Sequence, residues 1–118
     1  MEIEIVGRGY EVDDEDRESI RKRFDRVGRQ VSEHARLEVV LREEANPAIA
    51  EKYVAEATLR LKRATLRAQE RSERMDHSIK EVSLDIRRQV KRHRELRRKR
   101  TTTPSPLPPD PGPAAESA

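Results

Sequence analysis

The 118-residue chain is 33% hydrophobic and 42% charged, a low apolar share that provides for one thin core and no second domain. It contains no cysteine and only three aromatic residues, Tyr10, Phe24 and Tyr53, which excludes a disulfide scaffold, a thiolate metal site and a cysteine nucleophile, and all but excludes a platform for stacked bases. The net charge of +3 is unevenly spread: residues 1–50 carry −4, residues 51–100 carry +9 and residues 101–118 carry −2.

Residues 1–7 read as a strand, because Ile3 and Ile5 alternate with Glu2 and Glu4. Gly7 and Gly9 bracket a turn. Residues 13–30 read as a helix. Asp13 is placed to cap it, Asp14, Glu15 and Asp16 put negative charge on its positive end, and Ile20, Phe24, Val27 and Val31 form one apolar stripe. Three strands follow. In residues 35–43, Ala35, Leu37, Val39 and Leu41 share a face, with Arg36, Glu38 and Arg42 opposite. In residues 53–62, Tyr53, Ala55, Ala57, Leu59 and Leu61 share a face. In residues 64–71, Ala64, Leu66 and Ala68 face in, and Thr65, Arg67, Gln69 and Arg71 face out. This alternation suits an antiparallel sheet with one wet face.

Residues 74–99 read as a long helix whose stripe is Met75, Ile79, Val82, Ile86, Val90 and His93, with Leu84 expected to point outward. Within this helix nothing apolar follows Leu96, so the final turns should project into solvent. The order β-α-β-β-β-α, with one apolar face per element, predicts an α+β two-layer sandwich: two helices packed on one face of a four-stranded sheet. The folded domain is expected to span residues 1–100. Residues 101–118 hold six of the seven prolines and read as a disordered tail. No apolar run is long enough to span a bilayer and the start lacks the features of a signal peptide, so a cytoplasmic protein without membrane contact is expected.

The main functional signal is the run 87–100, which has nine basic residues and one acid. Arg88, Lys91, Arg92, Arg98 and Lys99 lie away from the apolar stripe, and Arg87, Arg94 and Arg97 flank it. Two or three cations would suffice to complement a helix dipole; nine on a rigid rod suit a polyanion, whose phosphates arginine grips with paired hydrogen bonds. Lys22, Arg26 and Arg29 on the first helix extend this surface if the two helices lie side by side. The competing reading pairs them with Glu18 and Asp25. Arg60, Lys62, Arg63, Arg67 and Arg71 read first as surface charge on the third and fourth strands and their turn, and second as further phosphate contacts. His34, His77 and His93 lack metal-ligand spacing. No serine-histidine-acid signature is present, and the Gly-x-Gly at Gly7 lacks its third glycine. An enzyme, a cofactor, a metal and a small-molecule substrate are therefore not expected.

Several strings, in order and at matching spacing, resemble the ribosome hibernation promoting factor and ribosome-associated inhibitor family. They are Ile3-Glu4-Ile5-Val6-Gly7, Val39-Val40-Leu41, Ala55-Glu56-Ala57-Thr58-Leu59 and Arg88-Gln89-Val90-Lys91-Arg92-His93-Arg94. The resemblance covers about residues 2–100 and fits a short form, or the N-terminal domain of a long form. It departs from the family's usual Asp-Met-Tyr at Arg74-Met75-Asp76, from its small turn at Lys62-Arg63-Ala64, and from an apolar residue at Asp16. It implies a stress-response or stationary-phase factor that binds the small ribosomal subunit and its rRNA in the channel for mRNA and tRNA. Such a factor blocks translation and preserves idle ribosomes, without chemistry. A second factor or a homodimer for pairing ribosomes stays open. So do two alternatives: a diverged stand-alone binder of double-stranded nucleic acid, and a protein-interaction module acting through the proline-rich tail.

Overall fold

The computed structural model describes residues 1–102, with side chains through Arg98. Its elements are β1 (Glu2–Arg8), α1 (Asp14–Gln30), β2 (Arg36–Glu43), β3 (Tyr53–Arg60), β4 (Thr65–Ser72) and α2 (Met75–Thr102). This is the expected β-α-β-β-β-α order. The expected tail lies outside the described residues except for Thr101 and Thr102, which continue α2.

The strands form one sheet in the order β1-β2-β3-β4. β1 pairs parallel with β2, and β2–β3 and β3–β4 are antiparallel. Parallel neighbours need a crossover, which α1 supplies. Asp13 caps α1 reciprocally: its carboxylate accepts the Asp16 N–H at 2.7 Å, and the Asp16 carboxylate accepts the Asp13 N–H at 3.3 Å. The Tyr10 hydroxyl also donates to Asp16, at 2.7 Å. Burial, together with this acidic partner, pushes the Tyr10 hydroxyl above the usual phenol range. These bonds explain an acid where an apolar residue is usual. In the entry to α1, a Cβ at Gly7 would overlap the Tyr10 carbonyl oxygen, and Gly9 has φ 62°.

The core lies between the sheet and both helices. Ile20, Phe24 and Val27 of α1 and Met75, Ile79, Val82, Ile86 and Val90 of α2 meet Leu37, Val39, Leu41, Ala55, Ala57 and Leu59. Burying each of the larger side chains contributes about 1.5–3 kcal/mol. The opposite face is less wet than its alternation implies. Val40 and Val54 sit there, 6% and 0% exposed. The register flanks Val54 with half-buried Arg42 and Arg71, whose methylene stems suit covering apolar surface. Leu84, expected outside, is half-buried. The β3–β4 turn is tight, closed over Lys62 and Arg63 by the Leu61 N–H bonded to the Ala64 carbonyl at 2.8 Å.

Removing the cap with Asp13→Ala is expected to cost ~1 kcal/mol. Phe24→Ala should cost ~3–5 kcal/mol by opening a cavity. Urea denaturation checks both, and the cap substitution should shift the midpoint without changing the slope.

Candidate nucleic-acid interface

Two side-chain bonds fix the direction of α2 over the sheet. Ser78 Oγ donates to the Tyr53 carbonyl, and Gln89 Nε2 donates to the Arg67 carbonyl, both at 2.7 Å. The helix therefore runs opposite to β4 and leaves the sheet at the end where β4 begins. Val90 is its last buried residue among those described. Residues 91–102 continue beyond the body as an overhang of about 18 Å. Lys91, Arg92, Arg94, Arg97 and Arg98 are exposed on it, and His93 is half-buried. Leu96 is the exposed large apolar residue, at 49%. Lys91, Arg92 and Arg94 have no ion-pair partner among the described residues. The Lys99 side chain lies outside the described residues.

α1 runs back against β1, bringing Gly28 near the Met1 side chain. Both helices thus end at the same pole of the domain, and they pack against each other. The condition for a shared basic surface is met. Lys22 and Arg26 are exposed and unpaired among the described residues, whereas Arg29 binds Asp25 at 2.7 Å. Arg60, Lys62 and Arg63, at the end of β3 and in the β3–β4 turn, are exposed at this same pole. The opposite pole gathers Asp13, Asp14, Glu15 and Asp16, the loop acids Glu43, Glu44 and Glu51, and Glu73 and Asp76. The fold converts a charge imbalance along the sequence into one along the molecule.

Arg87 is half-buried near the start of this surface. Arg88 is engaged, its Nη1 lying 2.8 Å from Asp85 Oδ1. Beside that pair is a group that pattern reading missed. Glu70 of β4 is half-buried on the side of the strand that α2 covers. Hydrogen bonding with the Asp85 side chain of α2, burial, and the Asp85 and Glu81 charges push the Glu70 carboxyl up to about 7, opposed by Arg88. The available signal was strand parity, which lines Glu70 up with Leu66 and Ala68 on the helix-covered face. Among the described residues, no group of histidines and carboxylates is arranged to hold a metal ion, and no helix is long and apolar enough to cross a membrane.

A basic helical overhang on this β-α-β-β-β-α sandwich defines a class of protein, and comparison with known proteins identifies it. The family model described as Sigma 54 modulation protein / S30EA ribosomal protein matches residues 3–98. The chain belongs to this family, that of the hibernation promoting factors which its strings resemble. The N-terminal domain of Thermus thermophilus Protein Y is similar in structure, with a TM-score of 0.67 and 26% identity, covering 79% of this chain and 99% of that one. A ribosomal subunit interface protein from Coxiella burnetii shares the fold, with a TM-score of 0.68 and 18% identity over 80% of this chain and 99% of that one. No curated protein matches the sequence.

The Glu70 shift gives a signed prediction. The folded chain holds a proton that the unfolded chain releases at the ordinary carboxyl value of 4.5, so this group's contribution to stability falls as pH rises from there to about 7. Glu70→Gln should raise the thermal midpoint near pH 8 and leave it unchanged near pH 4. Calorimetry at the two pH values checks this.

Proposed function

We propose that this protein is a ribosome-associated inhibitor of translation that lays its basic helical surface on the rRNA of the small ribosomal subunit, in the channel for mRNA and tRNA. It holds idle ribosomes inactive by occupancy rather than by chemistry, and it works in the cytoplasm. The observation that carries this reading is the α2 overhang, where Lys91, Arg92 and Arg94 stand exposed without ion-pair partners among the described residues. Family membership and the ribosomal subunit interface protein among the structural neighbours support the ribosome as the source of the RNA. The physics supports a phosphate surface. Arginines on a rigid helix have little to lose on binding, and their counterparts in a ribosomal channel are fixed. The near absence of exposed aromatic side chains favours backbone contact over base stacking. Residues 1–100 form the binding domain in this reading, and residues 101–118 are an appendage to it.

Co-sedimentation of the full chain with purified small subunits at increasing salt tests the proposal. Around six phosphate contacts give a log–log salt slope of roughly −4 to −5. Joint replacement of Lys91, Arg92 and Arg94 by alanine should flatten that slope by roughly 2–3 and leave the thermal midpoint unchanged, since these side chains hold nothing in the body together. Failure to pellet with small subunits at low salt contradicts the proposal. Equal affinity for random duplex RNA would instead favour a stand-alone nucleic-acid binder.

A further inference from the structure

The outer face of the sheet, away from both helices, is divided by charge. On its β1–β2 half, Glu2, Glu4 and Glu38 stand among the arginines, and Arg36 lies 3.9 Å from Glu2. β3 adds Glu56, which holds Arg42 at 3.0 Å. β4 places no acid on this face. Leu66 and Ala68 turn to the core, so Thr65, Arg67, Gln69 and Arg71 turn outward. All four side chains can donate hydrogen bonds. Thr65, Arg67 and Gln69 are exposed and Arg71 is half-buried, and neither arginine has an ion-pair partner among the described residues. β4 is also an edge of the sheet. Leu61 and Ala64 form a bonded pair at the β3–β4 turn, and bonded and non-bonded pairs alternate from there. The same four residues therefore direct their backbone N–H and C=O groups to the open edge. Among these groups the Arg67 carbonyl accepts Gln89 Nε2 at 2.7 Å, which ties this strand to the helix that carries the overhang.

We propose that the outer strip of β4, Thr65-Arg67-Gln69-Arg71, is a second phosphate track that holds the backbone of one RNA strand, distinct from the segment met by the α2 overhang. The inference rests on the RNA-binding reading of the overhang and gives the domain a second contact, on the opposite layer of the sandwich. The strip runs for about 20 Å and continues into Lys62 and Arg63 at the turn. Its side chains recur every second residue, close to the spacing of consecutive phosphates along one strand, and a phosphate chain offers acceptors throughout. Arginine can grip each phosphate with paired hydrogen bonds, and the hydroxyl of Thr65 and the amide of Gln69 fill the intervals. No aromatic side chain lies on the strip, so it suits backbone rather than bases. Charge on an edge strand also keeps sheets from joining, but either sign serves that purpose. Here all four charges along the turn and the outer face of β4 are positive, in a chain with 23 acidic residues. The Gln89 bond fixes the strip relative to the overhang, so the domain can bridge two RNA segments at a set separation.

The test uses the full-length chain and purified small subunits. Affinity is measured across a salt series for the wild type, for the double variant Arg67→Gln and Arg71→Gln, and for the triple alanine variant of the overhang. Loss of two phosphate contacts should flatten the log–log slope of the double variant by roughly 1.5, and the two sets of changes should add when combined. A wild-type slope in the double variant, with a flattened one in the overhang variant, overturns the second track and leaves the binding reading intact. Absence of binding by the wild type at low salt overturns both. Because Arg71 flanks Val54, the double variant could lose stability, so a second measurement decides independently of it. A photo-cross-linking probe at exposed Gln69 should reach rRNA nucleotides different from those reached from Leu96. Cross-links from position 69 to the same nucleotides as from position 96, to a ribosomal protein alone, or to nothing overturn the inference, the second of these marking an acidic protein segment as the occupant.

Discussion

The constraint on which the molecule depends is a mismatch of length. A strand of eight residues such as β4 spans about 26 Å, whereas the 28 residues of α2 span about 42 Å. The apolar stripe of α2 is matched to the sheet and no further, since burial stops at Val90. Because helix propensity is high for Arg, Lys, Leu and Glu, the backbone stays helical without a body beneath it. Packing of the first half thus fixes the aim of the second half. Cations on a flexible tail would lose conformational freedom on meeting phosphate; on the overhang most of that loss has already occurred on folding.

A second consequence of the topology is polarity. Strand direction and crossover place both helix C-termini and the β3–β4 turn at one pole, and both helix N-termini and the β2–β3 loop at the other. Bases at the first pole and acids at the second complement the helix dipoles locally, and the side-chain charges exceed what that needs. A net charge of +3 conceals this arrangement. A polyanion meets a molecule with one attractive end and one repulsive end, which restricts the orientations in which it can dock.

Much of the fold was legible in the sequence because each element has a single apolar face: the Ile20–Phe24–Val27 stripe and the alternation around Leu37, Val39 and Leu41 leave little choice of layer. The parallel pairing of β1 with β2 was not read there, since Ile3 and Ile5 alternate identically in either direction. Val40 and Val54 were hidden for a related reason. Two-period patterning separates faces but does not show that half-buried Arg42 and Arg71 flank Val54 on the outer one. In the candidate site, the cationic run was visible from composition, but its division was not. Arg88 spends its charge on Asp85 and Arg29 on Asp25, while Lys91, Arg92 and Arg94 do not pair among the described residues. Which cations stay available depends on local geometry that counting cannot supply. Glu70 escaped notice because its partners lie on another element, and only tertiary packing brings them together.

The overhang is the proposed point of contact with RNA. Site-directed photo-cross-linking addresses this most directly, with the probe placed at Leu96 on the overhang or, for comparison, at Glu44 on the acidic pole, in complexes with whole ribosomes. Cross-links are expected from position 96 to rRNA of the small subunit, with few or none from position 44. Cross-links to rRNA from position 44 alone would contradict this contact.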